Sequence, residues 1–267
     1  MIGIRQLRNT FSRRRLQSRV ADLADLALNH LRTVYPRELV FDEGDDTPVL
    51  VLAPHADDET FGAGGTIARH VAAGHRVTVV LFADNAASVE ATATLRTDDI
   101  VALRKREFAA AMKAIGVQDT RCLELPGHAL DSADAVSRLR DIGIEKHPQL
   151  LYLPSIFDNH DEHRRVNICA ARAFDVPRLA SCEARGYEVW SPLPATAVSD
   201  ISDTLTIKRS AIHCYKSQTS VIDYDHHITG LNAYRAITLG GGVRYAEAFL
   251  SLPLPQYVRY VTQLLKP

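Results

Sequence analysis

Val49-Leu50-Val51-Leu52-Ala53, followed at once by Pro54-His55-Ala56-Asp57-Asp58-Glu59, is the stretch on which the reading of this chain turns. Five apolar residues bounded by turn formers suit a strand buried on both faces, as in the interior of a parallel sheet. One imidazole and three carboxylates then crowd into the turn at its end. So much acid beside a buried strand is costly without a cation or ordered donors nearby. In open α/β sheets, ligands bind in the crevice at the carboxyl ends of the strands.

Working outward, Gly62, Gly64 and Gly65 come next. Their spacing is not that of a dinucleotide loop, and close packing of a helix on a strand explains them better. The pattern predicts a helix over 66–73, a strand over 77–82, and a helix over 99–115 capped by Thr97 or Asp98 and stopped by Gly116. A strand at 122–125, a helix over 134–146 and a buried strand over 150–153 follow. Alternating strands and helices predict an α/β fold: a Rossmann-like, mainly parallel sheet with helices on both faces. Beyond it, strands are expected at 187–190 and 196–198, and helices over 203–216 and 256–265.

Residues 1–46 read as an N-terminal helical extension, and 47–267 as the main domain. In the extension, Phe11, Leu16, Val20, Leu23, Ala27 and Leu31 mark an amphipathic helix whose first part is basic. It is expected to pack on the domain, with an anionic membrane surface or a partner subunit as the alternative. Ser12-Arg13-Arg14-Arg15-Leu16 resembles an export signal, but Asp22, Asp25, Asn29 and His30 interrupt the apolar stretch such a signal needs. Cytoplasmic residence is therefore the expectation. The cysteines, Cys122, Cys169, Cys182 and Cys214, form no Cys-x-x-Cys pair and read as free thiols in a reducing compartment. A net charge of -1 argues against a nucleic-acid partner. No apolar run approaches the roughly 18–20 residues of a transmembrane segment. The oligomeric state is open, a homo-oligomer included.

A second cluster, Asp158-Asn159-His160-Asp161-Glu162-His163, follows the strand ending at Leu153. Imidazole and carboxylate together suit zinc and similar divalent ions, and a catalytic zinc keeps three protein ligands and one open position. Drawing His55, Asp58 and His163 as ligands leaves Asp57 and His160 free for proton transfer. The other histidines read as surface or structural, with His226-His227 a candidate substrate rim.

His55-Ala56-Asp57-Asp58-Glu59 resembles the His-Pro-Asp-Asp-Glu stretch of the PIG-L/LmbE-like family of zinc-dependent de-N-acetylases, with Ala56 in place of proline. His160 and His163 match that family's later His-x-x-His. Arg104-Lys105-Arg106-Glu107 is similar to its Arg-x-x-Glu helix, and the likeness runs over roughly residues 48–250. The resemblance implies that His55, Asp58 and His163 bind Zn2+, or another divalent ion such as Fe2+, since these donors tolerate several. It implies that Asp57 is the general base, that His160 stabilises or protonates the tetrahedral intermediate, and that Arg104 and Asp131 contact substrate. The reaction implied is removal of an N-acetyl group from a small amino-sugar or glycoconjugate substrate. The chain departs from the pattern at Asp161-Glu162, where Pro-Asp is common, and at Asp158, where some members carry tyrosine.

Two other readings stand beside this one. One is an amidase for a different amide, such as a thiol conjugate. The other is a metal- or carbohydrate-binding module without turnover. A structural zinc site is usually closed by four protein ligands, whereas three good ones are found here, and a purely structural site needs no spare base such as Asp57.

Overall fold

The computed structural model describes residues 35–86, 94–174 and 177–265, together with the isolated residue 21. Its sheet is built from β1 (Arg37–Glu38), β2 (Pro48–Ala53), β3 (Arg76–Ala83), β4 (Asp119–Leu125), β5 (Leu150–Pro154), β6 (Glu183–Tyr187), β7 (Ala197–Asp200) and β8 (Ala246–Pro253). They lie in the order β1-β7-β8-β6-β5-β2-β3-β4, parallel throughout except where β8 pairs antiparallel with β6 and β7. The mainly parallel α/β sheet expected from the sequence is thus present.

Every residue of β2 is buried, because both of its faces are covered. Val49 and Val51 pack with Ile67 of α1 (Asp58–Ala72) and with Phe108, Met112 and Ile115 of α2 (Thr97–Ile115). Leu50 and Leu52 point the other way, into a core with Leu139 of α3 (Ala133–Lys146), Val166 and Phe174 of α4 (Asp161–Phe174), and Tyr257 near the C-terminus. The period-two alternation of a strand divides the run between two helical layers.

The chain moves from β2 outward through β3 to β4, then returns to place β5 on the other side of β2. That reversal is a topological switch point, and the loops after β2 and β5 open onto one crevice there. The two polar clusters of the sequence sit on those two loops.

α1 starts eight residues earlier than its periodicity predicted, at Asp58 inside the motif. Polar residues and glycines hid its first two turns. The glycines serve close packing, as expected. A Cβ at Gly62 would stand 2.3 Å from Cδ2 of Tyr187, and one at Gly65 would stand 2.7 Å from Ile201. The helix is also clamped by an ion pair inside the core. Lys208 Nζ, on α5 (Leu205–Ile212), donates to Phe61 O at 2.8 Å and to Glu247 at 2.6 Å. Glu247 in turn accepts from Gly65 N and Thr66 N.

Gly116 does end α2, in the left-handed conformation at φ 94°. The N-cap, however, is Arg96, not Thr97 or Asp98, and it makes no side-chain cap bond. The strand expected at 187–190 lies instead at Glu183–Tyr187. The helix expected over 203–216 is two, α5 and the single turn α6 (Lys216–Thr219). Neither β8 nor α7 (Tyr224–Arg235) was expected; α8 (Leu254–Leu264) was, within two residues.

The helix expected within residues 11–31 lies outside the described residues. The end of the extension does not stand apart: β1 pairs with β7, and Leu39 is buried in the core. All four cysteines are free, but Cys122 is exposed and only Cys169 and Cys182 are fully buried. Among the described residues no helix is long and apolar enough to cross a membrane.

At the far end of the sheet, His70 of α1 is buried between the hydroxyl of Tyr152 and Nδ1 of His75, each 2.8 Å away, and Arg185 donates to the same hydroxyl. Burial, with Arg185, His75 and Arg69 nearby, holds the His70 imidazole well below its ordinary value of 6.5. A base whose pKa is depressed by folding binds fewer protons in the folded state than in the unfolded one. Stability is then lost as pH falls below the unfolded value, by at most about 1.4 kcal/mol per pH unit. In urea melts at pH 7.5 and 5.5, wild type is expected to lose more stability on acidification than His70→Gln. Equal losses would show that His70 is protonated in the fold.

Candidate active site

Asp57 is the N-cap of α1, and its backbone is unusual for a residue with a side chain, at φ 147° and ψ -30°. Such a conformation costs about 1–3 kcal/mol and persists only where surrounding contacts enforce it. Two residues do so here. Asn85, just beyond β3 and itself left-handed at φ 59°, accepts a hydrogen bond from Ala56 N at 2.9 Å. Arg104 of α2 donates to Ala56 O and to Asp57 Oδ2, the latter at 3.0 Å.

Asp58 occupies the first turn of α1, where the helix dipole favours a carboxylate. Its Oδ2 accepts from His55 N at 2.9 Å and lies 3.0 Å from His55 Nδ1 and 3.1 Å from His163 Nε2. The loop after β2 and the start of α4 thus converge on one oxygen. His163 is wholly buried, and although Nε2 is close to Asp58 it makes no aligned hydrogen bond. Its other nitrogen lies 3.4 Å from Asp158 Oδ2, also without alignment. Asp158 is fixed by accepting from His160 N and Trp190 N, each at 3.0 Å. Glu162 contacts His55 Nε2.

Charge follows this crowding. Burial pushes the Asp57 carboxyl up to about 6 against the pull of Arg104. Burial pushes Asp58 the same way, but His163 and His55 outweigh it and hold it well below the usual carboxylate range. Burial would lower His55 and His163, yet Asp58, with Glu162 for the first and Asp158 for the second, raises them to about 10 and about 9. His160 is held below its ordinary value by burial and by its two histidine neighbours. Glu59 is pushed up to about 7 by burial, while accepting from Thr60 and from Tyr215, each at 2.6 Å.

The donors around Asp58 are of the kinds that a divalent cation takes. Protein ligands bound to a tetrahedral ion at about 2.0–2.2 Å stand roughly 3.3–3.5 Å from one another. The Asp58–His55 and Asp58–His163 separations fall just short of that. Two imidazoles drawn toward the protonated form around one carboxylate mark a place where positive charge is demanded, and a metal ion would replace those protons. Among the described residues, the donor set whose ligand atoms all lie within 4.8 Å of one another is an overlapping one, the nitrogens of His55, His160 and His163.

His55, Asp57, Asp58, Arg104 and His160 line one cleft of about 190 Å³, together with Phe61, Asn85, Val189, Trp190, Gln218 and Tyr224. Of the residues expected to hold the metal, move protons or contact substrate, only Asp131 is not brought there. Its carboxylate pairs with Arg165 of α4 at 3.1 Å and is not among the cleft-lining groups. Arg104 reaches the cleft but is buried, and donates to Asp57, Glu107 and Ser217. His226 and His227 are exposed and do not line it. Asn85, Trp190 and Tyr224 also reach the cleft without belonging to either sequence cluster, and Asp158, a departure from the family pattern, faces His163. A polar pair after a strand, Asp84-Asn85, was the available signal for the first.

Residues 50–174 match the family model described as PIG-L: GlcNAc-PI de-N-acetylase. The chain is 31% identical over 186 residues to 1D-myo-inositol 2-acetamido-2-deoxy-alpha-D-glucopyranoside deacetylase of Kineococcus radiotolerans, a match covering 56% of this chain and 51% of that one. It spans about half the length of the curated relatives it matches. Among solved structures, N,N'-diacetylchitobiose deacetylase from Pyrococcus horikoshii superposes with a TM-score of 0.69 at 22% identity, over 78% of this chain and 85% of that one. GalB, the 4-carboxy-2-hydroxymuconate hydratase of Pseudomonas putida, also gives 0.69, at 19% identity over 77% and 96%. These two likenesses establish the fold. A deacetylase and a hydratase share it, so chemistry must be argued from the site.

Proposed function

We propose, from the match of residues 50–174 to the PIG-L family model, that the chain is a metal-dependent hydrolase that removes an N-acetyl group from an amino-sugar substrate. The observation that carries this reading is the single oxygen of Asp58 set between His55 Nδ1 and His163 Nε2, with Asp57 and His160 beside it in one cleft. A ligand set with two unassigned proton-transfer groups at its edge suits catalysis better than a closed structural site.

In this reading His55, Asp58 and His163 hold the ion, zinc or another divalent metal such as Fe2+. The ion supplies Lewis-acid polarisation of the amide carbonyl and lowers the pKa of water to about 7. Arg104 binds one oxygen of Asp57, and the other takes the proton of the attacking water. Asp158 steadies His163 from behind, as carboxylates commonly do for metal-bound imidazoles. His160, kept neutral by burial, donates an N–H hydrogen bond toward the oxygen on which negative charge develops. Asp57 then returns its proton to the departing nitrogen. Water and the acetamide give acetate and a free amine.

Arg104 acts in this scheme as a positioning residue for Asp57, and no contact between Asp131 and substrate is invoked. The test is to load the purified protein with Zn2+ or Fe2+ and offer N-acetylglucosamine glycosides, inositol-linked ones among them. Acetate and amine should appear in equal amounts. A protein that holds one equivalent of metal yet releases no acetate from any of them would sink the proposal.

A further inference from the structure

Trp190 is about half exposed, yet it sits in the cleft wall, not on open surface. An indole left half in water beside reactive groups calls for a partner, because its apolar faces gain by being covered. Its ring lies edge-on to Tyr224 with centroids 6.4 Å apart, and Tyr224 stacks on Phe61 at 4.5 Å. His160 lies 6.5 Å away with its plane within 19° of the indole.

The segment that carries Trp190 is anchored by hydrogen bonds on both sides. Trp190 N is held by Asp158, the carboxylate that faces His163. Two residues before it, buried Glu188 accepts from Leu193 N and binds Arg235 of α7. Arg235 also donates to Leu193 O at 2.8 Å. The aromatic wall is therefore fixed relative to the reactive groups before any ligand arrives, which lowers the entropy cost of binding.

We propose that Trp190, bordered edge-on by Tyr224, forms a platform for the apolar C–H face of a pyranose ring, seating the sugar so that its acetamide reaches Asp57 and His160. This rests on the deacetylase reading and specifies the shape the substrate must have. A pyranose offers one flat face of axial hydrogens to an aromatic ring and directs its polar groups outward. An acyclic N-acetyl amine offers no such face. The cleft, at about 190 Å³, lies below the roughly 300–1,000 Å³ of drug-sized ligand pockets, so one ring fits and the remainder of a glycoconjugate extends outward.

The chain contains one tryptophan, so its emission reports on position 190 alone. The metal-loaded Asp57→Asn protein, which should not consume its ligand, is titrated with methyl N-acetyl-glucosaminide and, separately, with N-acetylethanolamine. A saturable emission change with the sugar and none with the acyclic amide is expected. In turnover assays with the base intact, Trp190→Ala should lower the preference for the sugar over the acyclic amide at least tenfold, with KM for the sugar rising more than kcat falls. Trp190→Phe should recover part of it. Hydrolysis of the sugar without any emission change, or an unaltered preference in Trp190→Ala, overturns the platform and leaves the deacetylase reading standing. Saturable emission without acetate release by wild type supports the platform and overturns the deacetylase reading instead.

Discussion

Asp57→Asn is expected to lower kcat by about 10²–10⁴-fold, the usual contribution of a general base, while the protein still holds its metal. That range corresponds to about 3–5 kcal/mol of barrier. Asparagine matches the carboxylate in shape and can still accept from Arg104 through its amide oxygen, so the loop need not move. The metal should stay because Asp58, not Asp57, lies between His55 Nδ1 and His163 Nε2. Steady-state kinetics with elemental analysis on one preparation reads both quantities. Near-normal turnover removes Asp57 as the base. Loss of metal together with activity would move Asp57 into the ligand set.

His163→Ala should abolish metal retention, from about one equivalent to almost none after dialysis. Two effects combine in that variant. One ligand of three disappears, and Asp58 is left buried with its charge facing His55 alone. His160→Ala makes the comparison decisive, because two overlapping donor sets share His55 and His163. If Asp58 is the third ligand, His160→Ala keeps its metal and loses activity only. If the three histidines hold the ion, both variants come out empty. Unchanged metal in His163→Ala would refute both assignments.

Much of this architecture is local, and it is legible for that reason. The apolar run 49–53 reports burial on two faces, a property of the strand itself. Gly116 reports a left-handed turn that other residues enter only at a cost. His55, Asp57, Asp58, His160 and His163 drew notice because each group follows a buried strand, and in this topology both strands end at one crevice. β8 was missed because Glu247 and Ser251 make it look half-solvated, whereas Glu247 is buried against Lys208, 39 positions away. α7 was missed because its polar surface hides a narrow buried stripe of Asp225, Ile228 and Asn232.

By itself, then, the sequence determined the strand–turn–helix order, the central strand and the two clusters of ionisable residues. All of these depend on periodicity and on turns a few residues long. The tertiary structure alone decided which groups each charge meets. Arg104, expected to meet substrate, lies under Asp57 because α2 crosses the end of β2, 47 positions away in the chain. Asp131, on the loop after β4, is claimed by Arg165. Asp158, a departure in sequence, lies 3.4 Å from His163 Nδ1, and Trp190 became a wall of the cleft. An ion pair or ring contact depends on which segments the sheet order brings side by side, and local periodicity carries no record of that order.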